Sequence, residues 1–204
     1  TARYMEQLRR ATEADIRGLV ASARAELDFA SENEEIVHML AGLPRDVLPE
    51  RVVHNDTKID NVLFDAASGE ALCVIDLDTV MPGSVLYDFG DLVRSAASAS
   101  REDARELGQV YLRLPIFEGL VQGYSDASIS LLTDGEREFL ALAGKVVAFE
   151  VGIRFLTDYL HGDVYFKTRY PQHNLDRARN QFTLVRSMQE QESEMNAIVR
   201  RIWG

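Results

Sequence analysis

The sequence predicts a mainly α-helical protein with one small β-hairpin (α+β). Three observations carry that class. Apolar residues recur at three- and four-residue steps over long stretches, the period of a helix with a buried face. Two short apolar runs, Val62-Leu63-Phe64 and Leu72-Cys73-Val74-Ile75, flank a polar, glycine-containing turn, the pattern of a hairpin. No repeat, low-complexity stretch or linker divides the 204 residues, and 46% of them are hydrophobic, enough for an ordinary core.

Taken in order, residues 1–30 are expected to form one helix, with Leu8, Ala11, Ile16, Leu19, Val20, Ala23 and Leu27 at helical steps. Ser31-Glu32-Asn33-Glu34 has a capping-box pattern, so a second helix is expected to open there and to end at Gly42 and Pro44. Pro44 to Glu50 reads as a loop and Arg51 to His54 as a short strand. After the hairpin, Pro82-Gly83-Ser84 reads as a turn, and a helix follows from Tyr87 or Asp88 to Ala99. Val110 to Leu114 is a weak strand or an irregular link into a helix through Tyr124. Thr133-Asp134-Gly135-Glu136 is a second capping box, opening a helix to about Leu160 that is apolar on nearly every side and therefore central. Gly162 stops it. A loop carrying Tyr165, Phe166, Tyr170 and Pro171 leads to a last helix from Asn174 to Ile202.

The formal net charge is −11, which argues against nucleic acid or an anionic membrane as partner, since both demand clustered Lys and Arg. No apolar run approaches the roughly 18 residues of a membrane span, and the opening residues are not expected to be a signal peptide. A cytoplasmic setting is expected. The single cysteine, Cys73, lies in an apolar run and reads as a small core residue.

The chemistry concentrates between Val52 and Arg94. An apolar run delivers His54-Asn55-Asp56, Asn61 follows five residues later, and the second hairpin run ends at Asp76. Acid, amide and acid in that order suit phosphoryl transfer: one carboxylate accepts a hydroxyl proton, while an amide oxygen and a second carboxylate hold Mg²⁺ on the phosphates. Asp56 is thus the candidate base, and Asn61 and Asp76 the candidate metal ligands, brought together by the two ends of the hairpin. Alone, Asp56 reads equally as a turn residue; the spacing of its two companions favours function. Eight acidic residues against two basic ones, Lys58 and Arg94, between Asp56 and Arg94 also call for a divalent cation. Asp60 and Asp78 are either supports of the site or solvated acids. His54 is expected to bond loop backbone, and Asp88 to cap the helix it opens and hold the catalytic loop. Glu150, Arg154 and Asp158 step by four along the central helix. They read as a salt-bridged stripe or, in so apolar a helix, as one wall of a ligand cleft with Tyr165 as a second.

The strings His54-Asn55-Asp56-Thr57-Lys58, Asn61-Val62-Leu63-Phe64-Asp65, Val74-Ile75-Asp76-Leu77-Asp78-Thr79-Val80-Met81-Pro82-Gly83 and Tyr87-Asp88-Phe89-Gly90-Asp91 resemble the aminoglycoside phosphotransferase and choline kinase superfamily. HNDTK and VIDLDTVMPG more narrowly resemble its N-acetylhexosamine 1-kinases, and the similarity continues through Arg154 to Leu160, Gly162 to Phe166 and His173 to Leu175. The resemblance implies the C-terminal lobe of a protein-kinase-like fold and phosphorylation of a sugar's anomeric hydroxyl by ATP with Mg²⁺. Asp56 would be the base facing the acceptor, Asn61 and Asp76 would bind the metal–nucleotide, and Arg154 and Tyr165 would line the sugar pocket. The family's N-terminal lobe carries a sheet, a phosphate-covering loop and a strand lysine. The residues before His54 read as helix, with Gly18 and Gly42 their only glycines and no lysine. Residues 1–204 are therefore expected to be a single catalytic lobe without its N-terminal nucleotide-binding lobe, which would act in cis or in trans; alone, the lobe is expected to fold but not to catalyse.

Other readings remain open: an aminoglycoside, choline or homoserine kinase of the same superfamily, or a non-catalytic binding lobe. Val74 to Val80 also fits the Asp-x-Asp-x-Thr/Val loop of haloacid-dehalogenase-type phosphatases, with Asp76 as nucleophile and Asp78 as acid/base. That fold needs alternating strands and helices afterwards, and the sequence after Asp88 reads as helix.

Overall fold

Helix α1 (Ala2–Ala14) turns Met5, Leu8 and Ala11 inward at helical spacing, the opening of a computed structural model that describes residues 2–40, 43–128 and 130–203. The single helix expected over residues 1–30 is broken at Asp15, whose backbone is left-handed (φ 34°). Its Oδ1 accepts from the Leu19 and Val20 N–H groups at 2.8 and 3.1 Å. A short polar side chain that satisfies nearby N–H groups competes with helix continuation. A 3-10 turn (Val20–Ala23) then feeds α2 (Arg24–Glu32). The expected capping box does not form: Ser31 lies inside α2, and Asn33 donates from Nδ2 to the Phe29 carbonyl at 2.9 Å. Only a 3-10 turn, Glu34–His38, follows. The stop assigned to Gly42 falls outside the described residues. Pro44 opens the expected loop, its carbonyl accepting from Val47 and Leu48 at 3.0 Å each.

Strand β1 (Arg51–Val53) is found where expected, and so is the hairpin of β2 (Val62–Phe64) and β3 (Ala71–Val74), antiparallel with Val62 opposite Val74. Asp65 shapes its turn by accepting from Ala67 and Ser68 N–H at 3.0 and 2.7 Å. The expectation that Cys73 is a core residue is wrong. Every β3 residue is exposed, Cys73 included, because among the described residues of its own unit β3 packs chiefly against β2. Pro82 and Gly83, read as part of a turn over Pro82-Gly83-Ser84, instead belong to strand β4 (Met81–Gly83), antiparallel to β1 with Arg51 opposite Gly83. In a two-stranded sheet Pro82 can take a place where its missing N–H breaks no ladder. A Cβ at residue 83 would stand 2.6 Å from Cγ2 of the buried Val53, so any residue but glycine would force that side chain to shift.

Ser84 caps α3 (Val85–Leu92), its Oγ accepting from Leu86 N–H, so the helix starts earlier than expected and Asp88 lies in its first turn, not at its cap. It ends in a π-turn, Val93–Ala97. The link near Val110 yields one isolated bridge, Ser98 with Leu112, before α4 (Leu114–Ser128). The Thr133 capping box forms in full at α5 (Asp134–Glu138), but Phe139 leaves helical geometry and separates it from α6 (Leu140–His161). Gly162, at φ 92°, ends α6 as expected, a conformation open to glycine at little cost. The last helix is two, α7 (His173–Glu190) and α8 (Glu192–Trp203), parted at Gln191.

The molecule is therefore mainly α with a small β part. Among the described residues no strand follows β4, which removes the basis of the phosphatase reading. No helix among them is long and apolar enough to cross a membrane. The chain divides into two units. The first comprises Thr1–Gly42, Ala99–Tyr111 and Lys145–Glu190, with Phe29, Phe149 and Phe182 at its centre (ring centroids 4.9–6.3 Å apart). The second comprises Leu43–Ser98, Leu112–Gly144 and Gln191–Gly204, cored by Phe89, Phe117 and Tyr124. Within the second, Arg51 pairs from Nε and Nη2 with both oxygens of the buried Glu136 at 2.7 Å, tying β1 to α5.

Candidate active site

The residues between β1 and β2 form a loop, and their side chains decide its shape. Asn55 is left-handed (φ 63°), a conformation that Asn tolerates better than most residues but that still needs support. Asp88 supplies it: one carboxylate oxygen accepts from His54 N–H at 2.8 Å, the other from Asn55 N–H at 2.7 Å. Asn55 Nδ2 donates to Thr79 O at 3.1 Å, Thr79 Oγ1 to His54 O at 2.6 Å, and Thr57 Oγ1 to Asp88 O. His54 Nε2 lies 3.0 Å from Ile75 O, tying the loop to the end of β3. His54 and Asp88 therefore hold the loop, as their positions in the sequence suggest.

Asp56 follows directly. Lys58 Nζ donates to its Oδ2 at 2.6 Å and Asn61 Nδ2 to the same oxygen at 2.8 Å; Asn61 also bonds the Asp56 carbonyl at 2.7 Å. Burial alone would push the Asp56 carboxyl up, but the hydrogen bonds from Lys58 and Asn61, with the charges of Lys58 and Arg94, hold it below its usual value. Asp56 is an anion at neutral pH, and no protein donor among the described residues reaches its Oδ1. Behind it, Arg94 Nε donates to Asp91 Oδ1 at 2.6 Å. Burial lifts the Asp91 carboxyl above its ordinary range; Arg94 opposes the shift and the Asp56 charge adds to it.

Asn61 is buried (5% exposed) with its Nδ2 committed to Asp56, which leaves Oδ1 free of protein donors. The hairpin register sets Ile75 N–H on Asn61 O at 2.9 Å, so Asp76 stands one residue from the Asn61 pairing, as the sequence suggests. Asp76 is left-handed (φ 64°) and exposed, and its carboxylate has no protein donor among the described residues. A free amide oxygen and a free carboxylate at one end of a hairpin fit Mg²⁺, a hard cation usually held by one or two carboxylates together with substrate phosphates. Asp60 and Asp78 are exposed acids.

In the first unit, the Glu150, Arg154 and Asp158 series is not a salt-bridged stripe. Asp158 is buried (5% exposed) and accepts from Val164, Tyr165 and Phe166 N–H at 2.9–3.0 Å and from Asn174 Nδ2 at 2.9 Å. It therefore shapes the loop after α6, where Asp163 is left-handed (φ 62°) and accepts from the same Asn174 amide group at 2.8 Å. Arg154 carries no ion pair or hydrogen bond among the described residues. Its guanidinium lies 5.3, 5.6 and 6.0 Å from the ring centres of Tyr4, Phe166 and Tyr165. Tyr165, 73% exposed, meets Phe166 edge to face at 4.7 Å.

Sequence reasoning passed over Lys58 as a partner of Asp56, although it is one of only two bases in an acidic stretch. It also passed over the Asp91–Arg94 pair and the role of Asp158, whose acid spacing suggested a surface. Tyr4 left no signal at all. A model of the phosphotransferase enzyme family (APH) matches residues 1–124, the span that contains Asp56, Asn61 and Asp76.

Proposed function

The chain belongs to the phosphotransferase enzyme family, and from that premise we propose that it serves an ATP- and Mg²⁺-dependent kinase that phosphorylates the anomeric hydroxyl of an N-acetylhexosamine. The observation that carries the reading is Asp56: an ionised carboxylate with one oxygen held by Lys58 and Asn61 and the other free, on a loop fixed by Asp88. The free Oδ1 can orient the acceptor hydroxyl and take its proton. A carboxylate of lowered basicity suffices, because the transition state of phosphoryl transfer is loose and positioning supplies much of the acceleration. Lys58, already beside the acid, keeps it charged and places a cation where transferred phosphate would gather. Asn61 Oδ1 and Asp76 would hold Mg²⁺, which supplies charge neutralisation on the phosphates when bound.

On this reading the residues act as the catalytic lobe, with nucleotide-covering elements contributed by an N-terminal lobe in cis or in trans. Arg154 and Tyr165 would bind the acceptor. The unshared guanidinium supports that role, and the likeness of HNDTK and VIDLDTVMPG to N-acetylhexosamine 1-kinases supports the choice of sugar. The test is Asp56→Asn in the intact protein. Turnover should fall at least about 100-fold, the low end for loss of a general base, with acceptor affinity nearly unchanged. Retention of more than about a tenth of turnover would exclude Asp56 as the base. Asp76→Ala should abolish Mg²⁺-dependent nucleotide binding.

A further inference from the structure

Three partly buried arginines other than Arg154 each have an acid. Arg94 has Asp91, Arg51 has Glu136 and Arg179 has Glu26, with nitrogen–oxygen distances of 2.6–2.8 Å. Arg154 is different. Its neighbours Ile153 and Phe155 are buried and its own side chain is half-buried, yet no carboxylate or carbonyl among the described residues accepts from it. Aromatic rings surround it instead. Ring faces hold a guanidinium plane without using any of its five donors. Those donors stay available to something outside the protein.

Two of the rings, Tyr165 and Phe166, come from the loop after α6. The third, Tyr4, comes from α1, at a guanidinium-to-ring distance of 5.3 Å, the shortest of the three. Met5, Leu8 and Ala11 are buried and set the roll of that helix. Arg3 Nη2 donates to Tyr4 Oη at 2.7 Å and its guanidinium lies 4.7 Å from the ring centre. The Tyr4 hydroxyl, acting there as acceptor, keeps its own proton to donate. Arg3 in turn feels the charge of Glu150, one turn before Arg154 on α6.

We propose that Tyr4 is the third wall of the acceptor cradle built on Arg154, so that α1 takes part in choosing the acceptor. This rests on the reading that Arg154 and Tyr165 bind the acceptor. The chemistry it selects is specific. Guanidinium edges and a tyrosine proton are all donors, and three ring faces are apolar. Such a cradle suits a neutral molecule with acceptor oxygens along one edge and a C–H-rich face, as a pyranose with an acyl carbonyl has. An aromatic cage can also bind quaternary ammonium groups, but here Arg154 occupies that place and Arg3 adds a second positive charge. Choline and polyamino sugars are disfavoured.

The experiment uses the intact protein, with N-acetylglucosamine and choline as probes in calorimetric titration and steady-state kinetics. Tyr4→Ala should weaken N-acetylglucosamine binding about three- to thirtyfold, the span of a lost cation–π wall. The ATP KM and the kcat at saturating sugar should not move. Tyr4→Phe should lose less, and choline should not bind the wild type. If Arg154→Ala weakens sugar binding while Tyr4→Ala leaves it unchanged, the Tyr4 assignment is overturned and the acceptor site stands. If neither variant changes it, or the wild type binds choline in place of the sugar, both fall. An equal rise in sugar and ATP KM would make Tyr4 merely structural and also overturns the proposal. Tyr4→Leu, which keeps apolar bulk, gives the same readings should Tyr4→Ala lower the thermal midpoint.

Discussion

Asp88 and Asp158 do the same work in two units: each accepts backbone N–H groups from a loop that carries a left-handed residue, Asn55 in one and Asp163 in the other. They differ in reach. Asp158 binds residues six to eight positions ahead of it, so its loop can close as soon as α6 ends. Asp88 binds residues 33 and 34 positions behind it, across the whole hairpin. Closing the longer loop costs more chain entropy, and fewer donors reward it. The loop bearing two of Arg154's ring partners, Tyr165 and Phe166, is thus secured locally, while the loop bearing Asp56 depends on its entire unit being folded.

The contrast can be broken by mutation. Asp158→Ala would remove the buried acceptor of three backbone N–H groups and one of the two acceptors of the Asn174 amide, and should cost more than about 3 kcal/mol in denaturant unfolding. Asp88→Ala, with two N–H groups in a half-exposed place, should cost about 1–3 kcal/mol. Its larger effect should fall on turnover, by roughly tenfold or more, as Asp56 loses its seat. Equal stability losses would erase the distinction.

Glu136 sharpens the long-range side of it, reaching 85 positions back to Arg51. Burial alone would raise its pKa, but Arg51 and the Thr133 N–H hold it below the usual 4.5. A carboxyl lowered in the folded state stabilises at every pH above 4.5, and that contribution is lost as pH falls through the folded value. Glu136→Gln should flatten the acid limb of a stability–pH profile and cost about 1–2 kcal/mol at neutral pH. An unchanged acid limb would mean the pair adds nothing. The smallest effect belongs to the hairpin. Exposed Cys73 should react with a maleimide in the folded protein about as fast as in the unfolded chain, and labelling should leave the unfolding free energy within about 0.5 kcal/mol of that of the unlabelled protein. Protection of the thiol would mean that β3 is covered.

What the sequence made legible was local. The hairpin, β1, the Thr133 capping box, the Gly162 stop and the grouping of Asp56, Asn61 and Asp76 all follow from spacing within a few dozen residues. Helix interruptions at Asp15, Phe139 and Gln191 were hidden, because periodicity continues across them and a side-chain cap such as Asp15 to Leu19 is one of many bonds an Asp can make. β4 was hidden because Pro82-Gly83 carries turn chemistry, and only pairing with Arg51 and Val53 makes it a strand. Tyr4 lies 150 positions from Arg154, beyond any pattern in the chain.

Asp76 carries a last consequence, for anyone who would engineer this molecule. Its φ of 64° is one that glycine adopts freely, and a stability-guided redesign would favour Gly there. The change would relieve a backbone cost of about 1 kcal/mol. At residue 76 the gain would remove the very carboxylate that the turn presents. Thermostability screens would rank such variants as improvements, so a redesign of this protein has to be screened on activity first and heat second.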